Sequence, residues 1–90
     1  MALFKAGMVV STPGALDALR RSGNSPADFL KRHACGDWGD VDGHDEKQNW
    51  IALREGARIL SSYRTRLGDI IWLITEADRS VTTCLLPSDY

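Results

Sequence analysis

No run of apolar residues in this sequence approaches the roughly 20 that a membrane-spanning helix needs. The longest, Ile70-Ile71-Trp72-Leu73-Ile74, is of strand length. The N-terminus lacks the charged-then-apolar layout of a secretory signal, so a cytoplasmic protein with no membrane partner is expected. Cysteine is scarce: Cys35 and Cys84 lie far apart in sequence and read as free thiols of a reducing compartment, which excludes a disulfide framework. An excess of one charge is missing too, with 11 Lys and Arg against 12 Asp and Glu. That excludes attraction to nucleic acid or anionic membrane by whole-chain charge, and equally a mimic of DNA built on acidity alone. There is no Gly-x-Ser-x-Gly elbow, Walker loop, Gly-x-Gly-x-x-Gly or Cys-x-x-Cys, so nothing marks an enzyme or a cofactor site by motif.

What the sequence has is clear punctuation. Ninety residues suit a single domain over 1–90. Met8-Val9-Val10 reads as a short extra N-terminal strand or an extended lead-in. Thr12 as N-cap and Pro13 at the first helical position open a helix to Arg21, with Ala15, Leu16 and Leu19 inward and Ser22-Gly23 as the stop. Ser25-Pro26 with Asp28 opens a second helix that ends at Gly36, its inward face being Ala27, Phe29, Leu30 and Ala34. A third helix, from about Gly43 or His44 to Glu55, is predicted to bury Trp50, Leu53 and Ala57, with Ile51 nearby.

From Arg58 the period changes from helical to two. Strands are predicted over Arg58–Arg64, Ile70–Thr75 and Ser80–Leu86, with Pro87 ending the ladder because it has no amide to donate. A loop of Glu76 to Arg79 sets Ile74 opposite Val81, Trp72 opposite Thr83 and Ile70 opposite Leu85. The other face carries Ile71, Cys84, Leu73 and Thr82. Trp72 points to the first of these faces as the one under the helices, leaving Ile71, Leu73 and Leu86 to be covered by the N-terminal segment or by a second copy in a homodimer. The fold class is thus α+β: two or three N-terminal helices, in a mostly helical part 12–56, packed on a three-stranded antiparallel meander in 57–87.

Between these parts lies Gly36-Asp-Trp-Gly-Asp-Val-Asp-Gly-His-Asp45, the densest cluster of acid in the chain. Counting from Asp40 as a calcium loop puts Ile51 where a bidentate Glu is required, and His33, Cys35 and His44 lack the paired spacing of a zinc site. No metal residue is therefore assigned. Turn formation and capping explain each aspartate. Cys35, at a helix C-terminus, sits where the dipole disfavours a thiolate, and Cys84 reads as core, so no catalytic residue is assigned either.

Arg32-His33, Gly36-Asp37-Trp38-Gly39-Asp40, Arg58-Ile-Leu-Ser-Ser-Tyr63, Ile74-Thr-Glu-Ala-Asp-Arg-Ser80 and the ending Leu86-Pro87-Ser88-Asp89-Tyr90 together resemble a family of small proteins carried by bacterial plasmids, integrated elements and phages, loosely linked to type I restriction-modification. The resemblance spans nearly the whole chain and implies a mobile-element accessory protein, with an anti-defence inhibitor of a CRISPR effector or restriction enzyme as the leading function. Asp37, Trp38, Asp40 and Asp42, with Glu76, Asp78 and Arg79 as a second patch, are the expected partner contacts, Trp38 also fitting a plug that buries its ring in the core. The alternative is a nucleic-acid-binding regulator using Arg20, Arg21, Lys31 and Arg32 of the helical hairpin.

Overall fold

The computed structural model describes residues 1–90. The elements are β1 (Met8–Ser11), α1 (Pro13–Arg21), α2 (Pro26–Ala34), α3 (Gly43–Glu55), β2 (Ile59–Arg64), β3 (Ile70–Thr75), β4 (Val81–Leu85) and a closing 3-10 turn, Pro87–Asp89. The helices start where their caps require. The Thr12 hydroxyl accepts the Ala15 amide at 3.2 Å, the Asp28 carboxylate accepts the Ser25 amide at 3.0 Å, and the Asp42 carboxylate accepts the Asp45 amide at 2.8 Å. Gly56, at φ 74, ends α3 in the left-handed conformation that glycine adopts without a Cβ penalty.

The arrangement is α+β, with three helices on one face of a four-stranded mixed sheet of order β1-β4-β3-β2. β2, β3 and β4 form the antiparallel meander, and β1 joins its β4 side in parallel, Met8 opposite Val81 and Ser11 opposite Cys84. The register of the second hairpin differs from the expected one by two residues: Ile74 lies opposite Thr83 and Trp72 opposite Leu85. Ser80 belongs to the turn, not the strand. Its amide and hydroxyl both donate to Asp78, and Arg79, at φ 61, donates its amide to the Glu76 carbonyl, which lengthens the loop. A slip of two keeps each side chain on its face.

The choice of face is also corrected. Ile71, Leu73 and Cys84 lie under the helices with Ile59, Ser61 and Tyr63, while Trp72 faces the other way. β2 decides this, because Trp72 shares its face with Ser62 and Arg64, and an arginine on a helix-covered face would be a buried unpaired charge. The surface expected to serve a homodimer through Ile71, Leu73 and Leu86 is therefore inside the fold. On the opposite face Tyr90 lies edge-on to Trp72 at 5.9 Å and its hydroxyl accepts from Arg58 at 3.2 Å, so the C-terminus covers part of that side.

The interior is in two halves. One joins Ala15, Ala18, Leu19 and Phe29 to Tyr63, Ile71, Leu73 and Cys84; the other joins Trp38 and Ala52 to Ile59, with Phe4, Val41 and Leu53 beside them. In α1 the inward row is Ala15, Ala18 and Leu19, with Leu16 41% exposed; in α2 it is Phe29 and His33. In α3 the buried residues are Asn49 and Ala52, and Trp50 is 46% exposed, against the expectation that it was core.

Asn49 is buried because it completes the sheet. Its side-chain amide donates to the Leu60 carbonyl at 2.7 Å and its side-chain oxygen accepts the Leu60 amide at 3.0 Å. Two residues further along the same edge, the Ser62 amide donates to the Trp38 carbonyl and the Asp40 amide donates to the Ser62 carbonyl, a one-residue parallel bridge through Gly39. Only glycine fits there, since a Cβ would stand 2.1 Å from the Ser62 oxygen. Asn49→Ala strips two of these bonds and is expected to cost about 2 kcal/mol, or roughly 10 °C in Tm, measured by urea and thermal unfolding.

Candidate functional site

The acidic segment is built into the fold more deeply than its composition implies. Asp37 accepts from Arg32 at 2.7 and 3.2 Å and from the Gly39 amide at 3.2 Å, and its carbonyl accepts the Tyr63 hydroxyl at 2.7 Å. The Arg32 guanidinium, 4.6 Å over the Tyr63 ring, holds the Asp37 carboxyl below its usual range, and Asp37 in turn raises Arg32. Asp42 is the cap of α3, and the Asp40 side chain is exposed. No three His, Cys, Asp or Glu side chains converge on a point that could hold a metal ion.

Trp38, which the sequence admits as a core plug and as a partner contact, is the plug, 3% exposed. Its ring is packed by Phe4, His33 and Trp50 at centroid distances of 6.4, 6.0 and 5.4 Å, which makes it the pin of the second half-core and not a contact residue. Its indole N–H has no hydrogen-bond partner, a cost that aromatic burial has to outweigh. Of the two tryptophans, Trp50 is the one displaced from the place that the sequence pattern assigned to it. Trp50 stands on the exposed side of α3, and with Leu3 it closes over Gly36, where a Cβ would meet each ring or side chain at 3.0 Å.

The hairpin patch sits at the far end of the same helix. Arg79 donates to the carbonyls of Ala52, Ala57 and Glu76 at 2.9, 2.6 and 3.1 Å, strapping the turn to the C-terminus of α3, where a cation complements the helix dipole. It is a structural clamp. Asp78 is held low by Ser80, and Glu76 accepts from Arg58 at 3.3 Å. The hub and the turn therefore flank α3 about 20 Å apart, given 1.5 Å of rise per residue. Between them Gly43, Glu46, Lys47, Trp50, Ile51 and Arg54 line a shallow groove. Of the basic set, Arg21 pairs with Asp17 at 3.0 Å and Arg32 with Asp37, while Arg20 and Lys31 are exposed.

Sequence pattern gave no sign of a third constellation. His33 is fully buried, with Nδ1 against the Ser61 hydroxyl and Nε2 2.8 Å from the Thr75 hydroxyl; Thr75 lies 2.7 Å from Thr82, and Thr82 donates to the Ala6 carbonyl at 2.7 Å. The carbonyl can only accept, so the chain has one direction. Thr82 accepts from Thr75, Thr75 accepts from His33 Nε2–H, and unprotonated Nδ1 accepts from Ser61. The visible signal was three hydroxyls, Ser61, Thr75 and Thr82, at inward positions of apolar strands.

Comparison with protein-family models, curated proteins and solved structures finds no match to this chain.

Burial, and next the Arg79 charge, push His33 from its ordinary 6.5 down to about 4, so the folded state holds it neutral. Below pH 6.5 the unfolded chain binds a proton that the folded chain refuses. Stability should therefore fall by about 3 kcal/mol as pH drops from 6.5 to about 4, and no further from this group below that. The depressed carboxyls of Asp28, Asp37, Asp78 and Asp89 act in a separate window, below their ordinary 3.8. In urea titrations at stepped pH, His33→Gln is expected to be less stable at pH 7 yet to lose the slope between pH 6.5 and 4.

Proposed function

We propose that the protein is a non-enzymatic binding protein of the cytoplasm that occupies a surface of a macromolecular target through the exposed side of α3. One observation carries the reading. Trp50, half-exposed, stands mid-way along the α3 groove, whose lining runs from Gly43 and Glu46 to Arg54. A tryptophan at the centre of a patch is the residue type most able to carry binding energy; Asp42 and Glu46 at the start of α3 suit a partner of positive potential there, such as a nucleic-acid channel, with Lys47 and Arg54 toward the other end. Two of the side chains with formal catalytic capacity are engaged elsewhere: His33 is fixed in its buried chain, and burial pushes the Cys84 thiol up.

The resemblance to small proteins of plasmids and phages makes a host defence complex the class of target, either a CRISPR effector or a restriction enzyme, and the protein an anti-defence inhibitor. No helix of the structure is long and apolar enough to cross a membrane, which is compatible with such a target in the cytoplasm. Pairing of Arg21 and Arg32 with carboxylates disfavours the rival reading, a nucleic-acid binder built on the basic helical hairpin.

Expression in bacterial strains with active CRISPR or restriction interference is expected to restore phage plating or plasmid transformation in at least one of them. Trp50→Ala, and Glu46→Lys on an exposed side chain that leaves the fold intact, should each weaken binding to the responding complex about tenfold. Unchanged interference in every strain sinks the anti-defence reading, and full potency of both variants sinks the assignment to α3.

A further inference from the structure

The two edges of the sheet are finished differently. On β2 the outward groups of Leu60 are taken by Asn49 and those of Ser62 by the Trp38–Asp40 segment. β1 has no such cover. The amides of Met8 and Thr12 donate inward, to the carbonyls of Ser80 and Cys84, and in a parallel pair a residue directs both its N–H and its C=O to one side. Val9 and Ser11, alternating with them, direct theirs out of the sheet.

Of the devices that stop such an edge from pairing, β1 has its shortness, at four residues, but not charge, proline or a bulge. Between Lys5 and Asp17 there is no charged residue, and β1 itself has neither a proline nor a break in register. Met8, Val9 and Val10 are 69%, 40% and 39% exposed.

We infer that β1 is a two-fold interface at which it pairs antiparallel with β1 of a second copy, Val9 opposite Ser11 of the other chain and Val10 on the axis. This register uses every outward group of both strands, in four backbone hydrogen bonds. Neighbouring registers do not: an axis at Val9 draws Gly7, at φ 68, into the ladder, and an axis at Ser11 draws in Pro13, which has no amide to donate. Val10 then meets Val10 of the second copy, and the apolar row that Met8 and Val10 form beside Val81 and Thr83 continues across the axis. A second copy suits this edge better than a foreign strand, which would be selected by charge or by side-chain pockets that β1 does not offer. Strand pairing of this length buries less than the roughly 1,200–2,000 Å² of a standard interface, so the dimer is weak and concentration-dependent. The inference is independent of the surface proposed on α3.

Sedimentation equilibrium of the full chain over a concentration series reads the association directly. Val9→Pro removes an outward donor that no internal bond uses, and Val10→Lys sets two like charges on the axis; each should raise the dissociation constant about tenfold or more, with the circular dichroism spectrum retained. In a Cys35→Ser background, Val10→Cys should form an oxidised dimer, because directly opposite Cβ atoms lie about 5 Å apart. Met8→Cys should not, being about 13 Å from its mate in this register. A monomer at every concentration, a dimer indifferent to both edge variants, or equal cross-linking at positions 8 and 10 overturns the inference.

Discussion

The fold depends on a line of hydrogen bonds running through its middle. His33 of α2 reaches β2 through Ser61 and β3 through Thr75, and the line passes through Thr82 of β4 to the Ala6 carbonyl just ahead of β1. Four strands and a helix are referred to one another by groups that cannot be left unpaired in a dry interior without a cost of about 1–3 kcal/mol each. The line also separates the half-core under α1 and α2 from the one under the acidic segment and α3. Apolar packing tolerates small slides; a chain of directed hydrogen bonds does not. It fixes how the two halves sit across the sheet.

The local features were legible in the sequence because each has a short-range cause. Thr12-Pro13, Ser25-Pro26 and Asp42 mark helix starts, and Gly56 a helix end, through backbone groups a few residues away. The three meander strands followed from their period. Misplaced features depended either on partners distant in sequence or on turn chemistry within the loop itself. The face of the sheet was assigned from the bulk of Trp72 on one strand, whereas Arg64 on its neighbour decided it. The loop length was set by Asp78 and Arg79 acting on their own backbone, a turn chemistry that spacing alone does not reveal.

The two tryptophans illustrate the same limit. Trp50 fits a helical apolar row, so pattern places it inside, whereas Trp38 among glycines and acids fits both a core plug and a contact. The structure turns Trp50 out because Asn49, polar by any scale, takes the inward position to bond the edge of β2. A buried asparagine with both ends of its amide used cannot be told from a solvated one by periodicity. The acidic surface was thus legible as a region, with its aromatic centre displaced from the loop to the helix that follows it.

β1 pairs with β4, Met8 against Val81, so β1 has to wait for a strand synthesised some seventy residues after it. Helix α3 and the β2–β3 hairpin rest on contacts closer in sequence, while the packing of α1 on β4, the Ala6 carbonyl and the parallel ladder close loops spanning most of the chain. Such long-range closures are made late and slowly. An N-terminal strand of unpaired, uncharged residues is then the part of the nascent chain most open to misplaced pairing during synthesis, and the completed β4 is what withdraws one side of it.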